Sequence, residues 1–203
     1  MDNVIDKTLK KILKAAQTLA VFKTILYLIG GILILLLNEK ISDYIYLIVG
    51  INLILTSMLE LSSELVQRRY KKIHNHIGSS IFTIVVGILI LTVFRLDIYK
   101  VSVMWALVTV VNSIIEVNDG LHEIHNKNIV AFINLMFAVI EIMYSIFLLI
   151  EPEENTEHFI THIYLLGAGF IIESIEEIAK MIINHFKAKK KDKLIDAKIP
   201  EEE

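Results

Sequence analysis

A unit of two apolar stretches recurs along the chain. With the numbering shifted by 56, a second copy overlays the first without a gap. The matched positions are Gly31 with Gly87, Ser57 with Ser113 and Glu60 with Glu116. A third copy continues the pattern at Gly167, Ser174 and Glu177, after a longer acidic connection. Each copy is expected to be one structural unit, so the sequence predicts three of them in tandem.

The apolar residues are concentrated in six runs. The chain is 55% hydrophobic with a mean hydropathy of +0.61, more than a soluble domain usually carries. Each run is roughly 20 residues long, which is the length needed to cross a ~30 Å hydrocarbon layer. A soluble bundle would need polar stripes, which residues 25–37 and 81–93 almost lack. The sequence therefore predicts an all-α integral membrane protein with six transmembrane helices, arranged as three tandem two-helix repeats.

Three regions follow from this pattern. Residues 1–17 carry apolar side chains at helical spacing among lysines, which predicts a basic amphipathic helix on an anionic membrane surface. Residues 18–184 form the predicted membrane domain, with repeats at about 20–73, 74–128 and 129–186. Residues 185–203 are expected to be a charged, disordered cytoplasmic tail. The six predicted spans are 18–37, 44–66, 77–94, 101–118, 133–150 and 160–184.

Basic residues predict the orientation. Seventeen of the 20 lysines and arginines fall on one side of the predicted spans, and the other side holds only Lys40, Arg95 and Lys100. By the positive-inside rule both termini are expected in the cytoplasm, and the protein in an inner or plasma membrane. Cysteine is absent, which excludes disulfides and thiolate metal sites.

Three glutamates are expected at one depth. Glu60, Glu116 and Glu177 are equivalent in the repeat and lie about one turn from the predicted cytoplasmic boundary. They are candidates to line a vestibule that gathers cations or relays protons. The alternative is ordinary pairing with Arg68, Arg69, His122 or Lys180. The spacing of Glu176 and Lys180 predicts a surface ion pair.

Glu141 is a different case, because it lies about twelve residues into the fifth span, near the predicted midplane. A charge there is costly, so the carboxyl is expected to be protonated, partnered or beside water. Candidate partners are Asn112 at similar depth, Tyr144 and Ser145. The Glu141 side chain either forms a hydrogen bond between helices or binds and transfers protons or cations.

His158 and His162 are four residues apart at the outer start of the sixth span. That spacing places both imidazoles on one helix face, as a metal pair requires, but no third ligand accompanies them. They are weak metal candidates beside two alternatives, a pH-responsive outer surface and ordinary interfacial histidines. The sequence predicts no cofactor.

The chain from about residue 23 to 187 resembles the HdeD-like family of short membrane repeats. The likeness lies in a Gly-containing first helix and a second helix of the form LIxGIxLIxxGxxEL, best matched by residues 50–61 and closed by Arg68 and Arg69. The third copy departs from the pattern, since it lacks the first-helix glycine. The resemblance implies a six-span inner-membrane protein without enzymatic activity, connected in some members with acid stress, and it carries no site residues.

The function predicted from these features is that of a non-enzymatic, multi-pass membrane protein of HdeD-like type, associated with stress. The alternative is a small proton or cation transporter or channel that uses the intramembrane glutamates. The expected partners are the lipid bilayer and either a second copy of the chain or another membrane protein. No nucleic acid is expected, because the basic run in the C-terminal tail is short.

Overall fold

The computed structural model describes residues 2–68, 77–94, 97–124, 129–150 and 156–196, and all regular secondary structure in them is helical. Six α-helices follow one another along the chain, and a short 3₁₀ turn, Ser42–Tyr44, separates the first two. The helices are α1 (Asp2–Ile41), α2 (Ile45–Arg68), α3 (Ile77–Thr92), α4 (Ile98–Ile124), α5 (Ile129–Leu149) and α6 (Thr156–Asp196).

Four of the helices contain segments long and apolar enough to cross a membrane. These segments are Ala15–Leu36 in α1, Ile45–Leu65 in α2, Ile98–Leu121 in α4 and Ala131–Leu149 in α5. The apolar helix α3 has 16 residues and is shorter than the others. In α6 the apolar stretch is interrupted by acidic and basic residues between positions 173 and 180. The four helices thus indicate a membrane protein, while α3 is shorter than a typical span and the apolar stretch of α6 is interrupted by charged residues.

Both long helices run past the limits expected from the sequence. α1 continues without a break from Asp2 to Ile41, so the basic segment 1–17 and the first apolar run belong to one helix. α6 continues to Asp196, so the tail is helical over residues 185–196, where disorder was expected. Lysine, alanine and leucine in that stretch are good helix formers, which favours continuation of the helix.

The distribution of polar and apolar side chains is reversed relative to a soluble protein. Large apolar side chains lie on the outside; Leu36 is 77% exposed and Phe147 57%. Small polar side chains lie inside, with Thr56, Ser80 and Ser102 fully buried. An apolar exterior needs an apolar solvent, since soluble proteins rarely expose large apolar patches. This arrangement supports the membrane assignment independently of helix length.

Three helix pairs make the most extensive contacts: α1 with α6, α2 with α3, and α4 with α5. Glycines bring two of these pairs close together. A Cβ on Gly50 would lie 3.1 Å from the carbonyl oxygen of Gly87, and a Cβ on Gly87 would lie 3.0 Å from that of Gly50. A Cβ on Gly31 would similarly lie 3.0 Å from the carbonyl oxygen of Gly167. Small residues of this kind allow close backbone packing between helices in lipid.

An aromatic cluster fills the centre of the bundle. Trp105 of α4 stacks on Phe170 of α6 with ring centroids 4.2 Å apart. Tyr27 of α1 meets both rings edge-on, at 6.3 Å from Trp105 and 5.8 Å from Phe170. All three side chains are buried. The aromatic cluster therefore joins three helices across the interior.

The start of α4 is capped by Asp97. Its Oδ1 accepts a hydrogen bond from the backbone N–H of Lys100 at 3.1 Å, the usual geometry of a helix N-cap. Partial burial acts to raise the pKa of Asp97, but the hydrogen bonds and the charge of Lys100 outweigh it and hold that pKa below its usual range. Asp97 thus favours the ionised form at the point where it caps the helix.

Candidate cation site

Among the side chains that the structure describes, two lysines lie inside the bundle, and each lies between two carboxylates. The Nζ of Lys23 in α1 is 3.0 Å from Oε1 of Glu177 and 3.7 Å from Oε1 of Glu60. The Nζ of Lys180 in α6 is 2.7 Å from Oε1 of Glu116 and 2.7 Å from Oε1 of Glu176. These contacts tie α1, α2, α4 and α6 together at one end of the bundle.

A cavity of about 350 Å³ opens beside these ion pairs; we call it the vestibule. Its lining comes from α1, α2, α4, α5 and α6 and includes Glu60, Glu116 and Glu177, the three repeat-equivalent glutamates. Five acidic and two basic side chains line it in all. The vestibule therefore has an acidic wall, and its charge favours a cationic occupant.

Lys23 is a partner that the sequence analysis did not identify. It was counted among the seventeen basic residues on the predicted cytoplasmic side, whereas its side chain is only 14% exposed and is paired with Glu177 and Glu60. A lone lysine inside an apolar run, at the level of the repeated glutamates, was the available signal. The proposed pairing with Lys180 is present for Glu116. The side chains of Arg68 and His122, and all of Arg69, lie outside the described residues.

Glu141 of α5 is 3% exposed and faces α4 and α6. Its Oε2 accepts a hydrogen bond from the hydroxyl of Ser113 at 2.7 Å. Of the three expected partners, Asn112 and Tyr144 are engaged elsewhere, and the buried Ser145 hydroxyl has no hydrogen-bond partner among the described residues. Asn112 accepts a hydrogen bond from Ser79 at 2.5 Å, and the Tyr144 hydroxyl donates to the carbonyl oxygen of Leu165. The sequence analysis thus predicted a partner in the correct helix, Asn112, which is one residue away from the observed partner, Ser113.

Three carboxylates meet around Glu141. One oxygen each of Glu116, Glu141 and Glu176 lies within 4.8 Å of the others, and we call these residues the carboxylate triad. Lys180 is the ammonium that contacts the triad, through Glu116 and Glu176. Three ionised carboxylates at such distances repel one another strongly in a medium of low dielectric. One ammonium does not balance them, so the triad requires a proton or another cation.

The position of Glu176 corrects one expectation. The sequence predicted a surface ion pair with Lys180, and the pair is present, but Glu176 is only 2% exposed. The spacing of four residues shows that two side chains share a helix face; it does not show which face is buried. The sequence analysis also did not name Glu173 as a candidate, although it belongs to the acidic run ESIEE inside the predicted sixth span.

The triad has a closed side. A void beside Glu141 is lined by Trp105, Thr109, Tyr144 and Glu173, and it has no room for a water molecule. Trp105 belongs to the aromatic cluster, which lies beyond the triad when followed along α4 away from Glu116. The carboxylate triad is thus reached from the vestibule through Glu116, which borders both.

The histidine pair receives no support as a metal site from the described residues. His162 is 5% exposed, and its ring meets that of Tyr99 edge-on at a centroid distance of 5.8 Å. The side chain of His158 lies outside the described residues. Among those residues, the set of three or more groups placed to share one ion is the carboxylate triad.

Comparison with known proteins gives one finding. Residues 22–92, which cover the end of α1, all of α2 and all of α3, match the model of a family described as a short repeat of unknown function (DUF308). Comparisons with curated proteins and with solved structures gave no match. The match supports the predicted resemblance to short repeats, while the closer likeness to HdeD stays a prediction. This part of the chain is similar to a short-repeat family whose function is unknown.

Proposed function

We propose that the chain is a six-span membrane protein that takes up cations, including protons, through the vestibule at its cytoplasmic end. The observation that carries this proposal is the carboxylate triad. Glu141 is buried beside Glu116 and Glu176, and the ammonium of Lys180 contacts two of these three carboxylates, Glu116 and Glu176. A buried site with surplus negative charge binds a cation or a proton. Such residues inside a membrane commonly mark an ion path.

The proposed architecture has three two-helix repeats around an axis along the membrane normal. It is supported by the order of the closest contacts. In each of the three closest pairs, the second helix of one proposed repeat packs on the first helix of the next. The pairs are α2 with α3, α4 with α5, and α6 with α1. Gly50 with Gly87 and Gly167 with Gly31 occupy repeat-equivalent positions in two of these pairs. A closed ring of this kind surrounds a central space, where the vestibule lies.

The proposed orientation places the vestibule in the cytoplasm of a cell with an inner or plasma membrane. Seventeen of the 20 basic residues belong to that side of the proposed spans. The chemistry of the site is that of ion binding and needs no enzymatic step. A connection with acid stress fits this proposal, because protons are among the cations that carboxylates bind.

The test is cation flux across liposomes that contain the purified protein. A pH step or a gradient of Na⁺ is imposed, and internal pH or Na⁺ is followed with an entrapped dye. We expect flux from the parent chain and none from Glu141→Gln, which keeps the shape of the side chain. Asp43→Asn, an exposed carboxylate in the turn after α1, is the matched control and should conduct like the parent.

A second function is favoured by the aromatic cluster. Tyr27, Trp105 and Phe170 fill the interior beyond the triad, as a protein that acts through packing and partners would require. No flux above empty liposomes, at acidic and at neutral pH, would refute transport and favour this role. In that case the role of Glu141 would be its hydrogen bond with Ser113, which joins α5 to α4.

A further inference from the structure

We propose that Glu116, Glu141 and Glu176 form a binding site for a hard metal cation, and that Lys180 acts as a tethered competitor for this site. The inference rests on the proposed uptake of cations and names the class of ion that the triad would hold. It also assigns a role to Lys180 that differs from structural ion pairing. In the described conformation the Lys180 ammonium forms ion pairs with two of the three carboxylates, those of Glu116 and Glu176.

The ligand set determines the class of ion. The three carboxylates offer oxygen only, and the Ser113 hydroxyl, which donates to Glu141 at 2.7 Å, adds a fourth oxygen nearby. Oxygen ligands of this kind suit Ca²⁺, Mg²⁺ and Mn²⁺ and disfavour soft metals. Ligand oxygens lie roughly 2.0–2.6 Å from such ions, so the present spacing of up to 4.8 Å requires a small contraction of the triad.

One oxygen of the triad points to a missing ligand. Oε1 of Glu141 is buried and has no hydrogen-bond partner among the described residues, while Oε2 bonds to Ser113. The side chain as a whole is 3% exposed. An unsatisfied buried carboxylate oxygen is costly, so it calls for a proton or a metal ion. Lys180 contacts the other two triad members, and the neighbour of Glu141 on this side is the Glu176 carboxylate, which has no proton to donate when it is ionised.

The vestibule gives the competitor a place to move. Lys180 and Glu116 both line it, and Glu177 lies on the same wall. When an ion arrives from this side, the Lys180 ammonium can turn towards Glu177 without entering an apolar environment. The same opening gives a hydrated ion a route to the triad. Lys23 is held between Glu60 and Glu177 and does not contact the triad in this arrangement.

The test compares metal binding by the parent chain and by Lys180→Met in detergent, without a membrane gradient. Mn²⁺ binding is measured by electron paramagnetic resonance, and Ca²⁺ and Mg²⁺ are added as competitors. We expect one Mn²⁺ per chain, bound about tenfold or more tightly by Lys180→Met, because the charge of the site becomes more negative. The double variant Lys180→Met/Glu141→Gln should lose this gain. Equal affinity in parent and Lys180→Met, or a gain that persists without Glu141, would overturn the proposal.

A second measurement covers the case in which Lys180→Met does not fold. In the parent chain, metal that displaces the ammonium should make Lys180 more reactive towards an amine-acetylating reagent, as read by mass spectrometry. Lys23 provides the internal control, and Glu141→Gln should show no metal effect. Unchanged labelling of Lys180 at millimolar metal would also overturn the proposal. Since neither experiment involves transport, a failure here is distinguishable from a failure of the flux assay.

Discussion

Substitution of Gly87 by alanine tests the close packing of α2 on α3. The added methyl group would lie 3.0 Å from the carbonyl oxygen of Gly50 and 2.8 Å from Cγ1 of Ile54, where ordinary contact begins at 3.4 Å. The isoleucine side chain can adjust, but the carbonyl belongs to the backbone of α2. The two helices must therefore separate locally by about 0.4 Å, and other contacts along the pair are weakened.

The size of the effect follows from two opposing contributions. Overpacking of this kind costs about 1–3 kcal/mol. Replacing glycine by alanine in a helix returns up to about 1 kcal/mol. Gly78 isolates the second contribution, because it lies in the same helix and its added Cβ would have no neighbour within 4 Å. The difference between Gly87→Ala and Gly78→Ala is thus expected to be about 2 kcal/mol in the free energy of unfolding.

The assay is thermal unfolding in detergent, followed by the fluorescence of Trp105, the single tryptophan of the chain. For a chain of this size, 1 kcal/mol corresponds to about 2–4 °C. We expect Gly87→Ala to melt about 4–8 °C below Gly78→Ala. Equal melting temperatures for the two variants would refute the argument, since they would show that α2 and α3 do not pack through their backbones.

Two further predictions concern charged groups. Lys23→Met leaves the partly buried carboxylate of Glu177 without its nearest ammonium and should destabilise the protein by about 1–3 kcal/mol in the same assay. Lys23→Met/Glu177→Gln should recover part of the loss, and no loss at all would contradict the role of this pair. Asp97→Ala removes the cap of α4 and should cost about 1 kcal/mol at neutral pH. Because the folded-state pKa of Asp97 is lowered, its contribution is present above the unfolded-state value of about 4 and is lost as pH falls through the lower folded-state value. Melting temperatures of parent and Asp97→Ala should therefore converge in acid, and a constant difference would refute the assigned role.

The helices were predictable because apolar runs and their lengths are local properties of the sequence. A shared level of Glu60, Glu116 and Glu177 was also predicted from the repeat, since equivalent positions in parallel units would lie at equal depth. All three line the vestibule; their role in cation uptake stays a prediction. The repeat carries this information because it relates distant parts of the chain without any knowledge of their contacts.

Rotation of the helices about their axes was not predictable. Neighbouring residues in a helix point about 100° apart, and a sequence pattern does not give the rotation of a helix about its axis to better than this. Asn112 was therefore predicted as the partner of Glu141, where the structure has Ser113. The burial of Glu176 was missed for a related reason, because its spacing to Lys180 carries no information on which face meets the core. The inward position of Lys23 depends on two glutamates in other helices, and counting basic residues along the chain does not reveal such contacts.

The close packing of α1 on α6 has a consequence for biosynthesis. These are the first and last of the six described helices, so their contact forms only after the final helix has been synthesised. Until then Glu116 lacks the ammonium of Lys180, and Lys23 lacks Glu177. The partly made protein thus holds uncompensated charges in lipid, which favours their protonation or contact with the insertion machinery. Arrival of α6 completes the bundle and supplies the missing counter-charges in one step.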